Sequence, residues 1–175
     1  MKKGKELYKK GKTSSDLLIF LDKMKNLGYC FLTQIIVDTK LKQVSLICED
    51  LQCYLPCEIG LNGFIDFIDS SPEDGKTPIC ETKIRHIDLP INDINNPVAA
   101  VFSKTIKTPV NFGPCFICLY ISIPKTNKIR GIGFHGCSDD TDSILKPTNG
   151  CIRLYNADLY CIRNLFFKNL KVSIV

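Results

Sequence analysis

From Phe31 to the C-terminus the apolar residues fall mostly in short runs bounded by turn residues, with a single helical interruption. This spacing constrains the fold more than any other feature, because side chains alternate faces along a strand and recur every 3.6 residues along a helix. The runs Phe31–Val37, Gln43–Cys48 and Leu51–Ile59 predict strands separated by turns. A strand over Lys83–Leu89, a long one over Pro114–Ile123, another over Ile129–Phe134 and a last one over Lys171–Val175 follow. Ser70–Lys76 is a turn cluster, and Asp88–Pro97 reads as an irregular loop. Two helices are expected. The first starts among Thr13, Ser14, Ser15 and Asp16, carries Leu17, Leu18, Leu21 and Met24 inward, and ends at Gly28. The second is Asn156–Asn169, capped by Asn156, with Leu159, Ile162, Leu165 and Phe166 inward. Strands without a βαβ rhythm predict a mainly β sandwich or barrel with helices packed against it. Residues 1–30 are read as a basic segment with a short helix, and 31–175 as the main domain.

Charge is unevenly placed. The 175 residues carry a net +5, yet residues 1–25 hold eight Lys against three acids, and the remainder balances 15 cations with 15 acids. A basic leader can sit on phosphates or anionic lipid, or simply be solvated; the neutral body does not predict nucleic-acid binding. Leu17–Leu21 is the longest early apolar run and stops at Asp22-Lys23, too short for a signal peptide or a transmembrane helix.

Ten cysteines invite a disulfide or metal reading. Cys30, Cys48, Cys118 and Cys161 lie in apolar runs, where a free thiol packs as a small hydrophobe. Cys115 and Cys118 are three apart on a strand and face opposite ways. Cys53 and Cys57 share a face but have no second pair at matching spacing, so no structural zinc is expected. Asp139, Asp140 and Asp142 form an acidic loop without the turn Gly and closing Glu of a calcium loop.

The stretch with chemistry in it is Gly131-Ile-Gly-Phe-His135-Gly136, followed after a loop by Thr148-Asn-Gly-Cys151-Ile-Arg153. A His closing a strand can take the proton of a Cys, and Gly150 lets backbone N–H groups face an incoming carbonyl. A buried core His and a buried apolar Cys are the plain alternatives. The other histidine, His86, lies in a strand run with no motif around it.

The segment from His135 to Arg153 resembles the active-site signature of the YkuD-type L,D-transpeptidase catalytic domain: His-Gly, a loop, then Ser/Thr-x-Gly-Cys-hydrophobic-Arg/Asn. Ile35–Asp38 with Gln43–Cys48 is similar to the family's opening hairpin. Asp74-Gly75-Lys76-Thr77-Pro78 resembles its Gly-x-Thr-Pro segment. The resemblance implies that Cys151 attacks the diaminopimelate carbonyl of a peptidoglycan stem and releases D-alanine. It makes His135, paired with Cys151 as thiolate–imidazolium, the general base. It places the Gly136 carbonyl behind the His135 ring, and the N–H groups of Gly150 and Cys151 as the oxyanion hole. Arg153, Thr148 and Asn149 become substrate-binding residues, with Arg153 either gripping a carboxylate or bracing the Cys loop. An acceptor amine then gives a 3→3 cross-link in cell-wall synthesis, or water gives an L,D-carboxypeptidase. A non-catalytic peptidoglycan-binding module is the alternative of another class. The resemblance also implies a bacterial cell-envelope location, a monomer, and no metal or cofactor. Cys137, close to His135 in sequence, is expected as an oxidative disulfide partner of Cys151.

Overall fold

The computed structural model describes residues 13–67, 74–88, 112–123, 127, 129–137 and 145–175. Helix α1 (Ser15–Asn26) precedes β1 (Gln34–Asp38), β2 (Gln43–Cys48) and β3 (Leu51–Pro56). The chain continues through β4 (Phe64–Asp66), β5 (Thr77–Asp88), β6 (Phe116–Leu119), β7 (Ile121–Ser122), β8 (Ile129–Arg130), β9 (Gly133–His135) and β10 (Ile152–Arg153). It closes with α2 (Asn156–Ile162), a 3-10 turn at Arg163–Leu165, and β11 (Lys171–Ile174). The fold is mainly β, with a mixed sheet and two short helices, as the alternation of short runs predicts.

The main sheet runs β10-β9-β6-β5-β11-β1-β2-β3, with β4 beside β5. Strand β5 is twelve residues long and serves both halves: Cys80–Lys83 pair with β11, and Ile84–Asp88 pair with β6. Beyond β3 the chain returns to the other end of the sheet. There Glu58 and Arg153 exchange both backbone hydrogen bonds, at 2.9 and 2.8 Å. The arrangement is therefore a sandwich closed like a barrel at one corner.

One row across four strands shows how the sheet is held. Ile87, Ile117, Phe134 and Ile152 are register partners and all are buried in the apolar core. Each such side chain contributes about 1.5–3 kcal/mol by leaving water. Because strand faces alternate, the neighbouring residues Asp88, Phe116, His135 and Arg153 form a parallel row on the opposite face. That second row carries the candidate chemistry.

Several boundaries differ from expectation, each for a tertiary reason. In α1 the buried stripe is Leu17, Phe20 and Met24, while Leu18 is 53% exposed, because helix and sheet meet along that narrower line. These three residues join the same core as the strands, so the helix is not set apart from residues 31–175. Ser14 provides no side-chain cap; its N–H donates to Asp158 Oδ1 at 2.9 Å and ties α1 to α2. Strand β5 begins six residues earlier than expected, since β4 and β11 supply partners for Thr77–Glu81. The Pro114–Ile123 run divides at Tyr120, whose N–H turns to the Lys83 carbonyl, and among the described residues β7 pairs only with β8. Ile129–Phe134 divides likewise into β8 and β9.

Helix α2 stops at Ile162, and Asn156 is its first residue, with Tyr155 at the cap position. Phe166 leaves the helix as extended chain so that its ring can meet Phe134 at 6.0 Å. Cys30 is exposed, against expectation, whereas Cys48, Cys53, Cys57, Cys115 and Cys118 are buried. No group of three metal-ligating side chains occurs among the described residues. Residues 1–12, the first part of the 70–76 turn cluster, most of the 88–97 loop and the acidic 139–142 loop lie outside the described residues.

Candidate active site

His135 ends β9 and is only 3% exposed. Its Nδ1 lies 2.6 Å from the Gly136 carbonyl. A carbonyl only accepts, so Nδ1 carries the hydrogen and Nε2 is left with its lone pair. Phe112 meets the ring edge-on at 5.0 Å and Phe116 stacks near it at 6.1 Å. Asn156 fixes the chain just beyond. Its Oδ1 accepts from the Cys137 N–H at 2.8 Å, and its Nδ2 donates to the Cys137 carbonyl at 2.9 Å. A Cβ on Gly136 would collide with Asn156 Oδ1, so glycine there is what admits this clamp.

Cys151 follows a turn at Gly150, whose φ is +117°. A Cβ at Gly150 would lie 2.8 Å from the Lys76 carbonyl and 3.0 Å from Arg130 Nη2, so the turn requires glycine for both conformation and space. The turn rests on a floor that motif reading missed. Thr77, fully buried, accepts from the Gly60 N–H at 2.8 Å and donates to the Gly150 carbonyl at 3.0 Å. Arg130, 4% exposed, makes a two-pronged contact with Asp74 at 2.6 and 3.3 Å and donates to the Lys76 carbonyl at 2.8 Å. The Asp74–Pro78 segment therefore works as the bed of the Cys151 turn. Its resemblance was visible in the sequence; its contacts were not.

Arg130→Met is expected to lower stability by about 3–5 kcal/mol, because removing one partner of a buried ion pair strands the other. Denaturant unfolding of the two proteins checks this, and a loss under 1 kcal/mol would show that the turn does not depend on the pair.

The continuing register sets Cys151 beside Gly133 on the face that carries His135, so the two residues are diagonal neighbours, roughly 7–8 Å apart at Cα. No hydrogen bond joins them. The thiol points to the Gly131 carbonyl at 3.7 Å. Burial pushes the Cys151 thiol up to about 11; the Gly133 N–H, Arg130 and Arg153 pull the other way, and the neighbouring Cys118 adds to the rise. Burial takes His135 down to about 4, with Arg153 adding to it and the Gly136 carbonyl opposing. Burial thus works against both charges of the expected thiolate–imidazolium pair. Desolvation penalises both charges before any substrate is present.

Two other expectations change. The Gly150 N–H is engaged by Thr148 Oγ1 at 3.1 Å and is not free for an oxyanion. Thr148, expected to bind substrate, is buried and donates to the Cys151 carbonyl at 2.6 Å, so it braces the turn. Cys137 and Cys151, expected to pair on oxidation, are both free thiols. Asn149 is exposed beside the nucleophile. Arg153 donates through Nη1 to the Lys146 carbonyl at 2.9 Å, while its buried Nε has no hydrogen-bond partner among the described residues.

At pH 7, iodoacetamide is expected to label exposed Cys30 before Cys151, as read by peptide mass. Faster labelling of Cys151 would mean that its surroundings stabilise the thiolate.

His86, expected to stand without a partner, has one: its Nε2 lies 3.4 Å from Asp88 Oδ2.

Among the described residues no helix is long and apolar enough to cross a membrane. No protein-family model and no curated protein sequence matches the chain. Solved structures do. Bd1075 of Bdellovibrio bacteriovorus aligns over 83% of this chain and 48% of its own, at 16% identity and a TM-score of 0.54. A cysteine-to-serine mutant of an Enterococcus faecium L,D-transpeptidase aligns over 82% of this chain and 50% of its own, at 12% identity and a TM-score of 0.51. The Ldtfm–avibactam carbamoyl enzyme aligns over 82% and 48%, at 12% identity and a TM-score of 0.52. The chain spans about half the length of these proteins. At such identities the likeness is one of fold, and that fold is the YkuD-type β-sandwich.

Proposed function

We propose that the protein is a cysteine-dependent acyltransferase acting on peptidoglycan stem peptides in the cell envelope, an L,D-transpeptidase. The observation that carries this reading is the tautomer of His135. With Nδ1 bound to the Gly136 carbonyl, Nε2 is a lone-pair acceptor one diagonal step from the Cys151 thiol, on the same face of the sheet. A carbonyl does here what the carboxylate of a Ser-His-Asp triad does for its imidazole.

In this scheme a substrate carbonyl enters above Cys151 and the sulfur attacks as its proton passes to His135 Nε2. An imidazolium whose pKa is near 4 is a strong acid, so it readily returns that proton to the departing D-alanine amine. The Cys151 N–H is the backbone donor left for the oxyanion, since Gly150 is engaged. Arg153, anchored through Nη1 to the Lys146 carbonyl, braces the loop that leads into Cys151. An amine resolves the thioester to a cross-link. None of these steps needs a cofactor.

Incubation with a synthetic tetrapeptide stem, followed by mass spectrometry, is the test. Release of D-alanine with a thioacyl mass increment on the protein is expected. Absence of both would leave a non-catalytic stem-binding module, and D-alanine release with only hydrolysed tripeptide would make the protein a carboxypeptidase.

A further inference from the structure

The face that carries His135 also carries two aromatic rings that the core does not use. Phe116, on β6, is the register partner of His135. Among the described residues, neither it nor Phe112 belongs to the apolar core or to the side chains packed against that core. Both are half-buried. The two rings meet each other at 4.9 Å, and they meet the His135 ring at 6.1 Å from Phe116 and 5.0 Å from Phe112. The Phe116 ring reaches further. A Cβ placed on Gly133 would lie 3.0 Å from its Cζ. Gly133 stands beside Cys151 in the continuing register, two residues before His135 on β9, and its N–H serves the Cys151 sulfur. The Phe116 ring therefore covers the patch of backbone that Cys151 and His135 share.

Both rings have fixed backbones. Phe116 is paired on one side with Asp88 and on the other with His135. The Phe112 carbonyl accepts from the Gly136 N–H at 2.9 Å. A Cβ on the following residue, Gly113, would strike Asn156 Oδ1, so Phe112 is seated on the same clamp that holds Cys137.

We infer that Phe116 is a specificity-determining residue: its ring walls the space for the residue that the donor stem loses, and limits that residue to a small side chain. This deepens the acyltransferase reading above and rests on it. The carbonyl under attack must sit about 3–3.5 Å from the Cys151 sulfur. The departing nitrogen must come within about 3 Å of His135 Nε2 to receive its proton. That nitrogen is bonded to the same carbonyl carbon. The departing residue is thus held between Cys151 and His135, over Gly133 and against the Phe116 ring. A ring already at close contact with a Cβ position on Gly133 leaves little depth there. A methyl side chain needs little, whereas a branched one must displace the ring, and forcing extra methylenes into a well-packed apolar wall is unfavourable. One methylene in such a pocket is worth about 10–200-fold in kcat/KM.

Two synthetic stems test this on the full chain, identical except that one ends in D-alanine and the other in D-leucine. In the wild type, kcat/KM is expected to be lower by at least about 10²-fold for the D-leucine stem. In Phe116→Ala that gap is expected to close by at least about 10-fold through a gain on the D-leucine stem, and in Phe116→Leu by less. Phe112→Ala removes the ring that meets His135 edge-on, and is expected to slow both stems alike. The amplitude of a single-turnover burst of D-alanine counts the folded, competent protein in each preparation, and Phe116→Leu carries the comparison should Phe116→Ala fold poorly. A wild type indifferent to the two stems, a gap unchanged in the Phe116 variants, a gap that closes only because the D-alanine stem slows, or an equal closing in Phe112→Ala overturns the assignment. A wild type that shows no burst overturns the acyltransferase reading, and this inference with it.

Discussion

Cys151→Ser is expected to abolish D-alanine release, a fall of at least about 10⁴-fold, and to take up no carbapenem, whereas a covalent carbapenem adduct is expected on the wild type. The reason is specific to this site. Burial already holds the thiol at about 11, so the site stabilises an anion poorly before substrate binds. A serine hydroxyl is far harder to ionise and has the same shell. The substitution is nearly isosteric, and the turn it occupies is held by Thr77, Arg130 and Thr148 through backbone atoms, so folding should be unaffected. Intact-protein mass after carbapenem treatment, with thermal unfolding beside it, checks both parts. An adduct of undiminished yield on the serine variant would place the nucleophile elsewhere among the ten cysteines.

His135→Gln is expected to reduce acyl transfer by about 10²–10⁴-fold while leaving the pH profile of Cys151 alkylation nearly where it was. Burial disfavours the charged form of both groups, so wild-type alkylation should climb above pH 9 toward the raised pKa of the thiol, near 11. A plateau at pH 6–8 that vanishes in His135→Gln would show a resting ion pair instead. The same burial has a consequence for stability. His135 has a folded pKa near 4, below its ordinary 6.5, so the stability it contributes as a neutral group is complete above pH 6.5. It is lost as pH falls through 4. A fall from 6.5 to about 4 is worth roughly 3 kcal/mol. Denaturant midpoints of the wild type and His135→Gln should therefore converge between pH 6.5 and 4.

Much of the site was readable because its pieces are local. His135-Gly136 supplies both an imidazole and the carbonyl that holds it, one residue apart. Thr148–Cys151 closes its own turn with hydrogen bonds spanning two and three residues. Period and motif are sufficient for such units, and they also located β2, β11 and the start of α2. The rest depends on residues distant in sequence. Thr77 holds Gly150 from 73 positions away, and Arg130 reaches Asp74 from 56. Asn156 looked like a helix cap and is a clamp on Cys137. His86 looked like an ordinary strand residue until the register set it opposite Cys118.

What the sequence by itself determined is the period of the strands, the identity of the nucleophile and base candidates, and the glycines that their turns require, since all of these follow from bonding and sterics within a few residues. Only the tertiary structure decided which amide of the Cys151 turn is already engaged, how deeply the thiol and the imidazole are buried, and which side chains share their face. Those properties are set by burial and by partners brought in across the sheet, and a linear order of residues does not contain the dielectric around a sulfur atom or the strand that lies beside it.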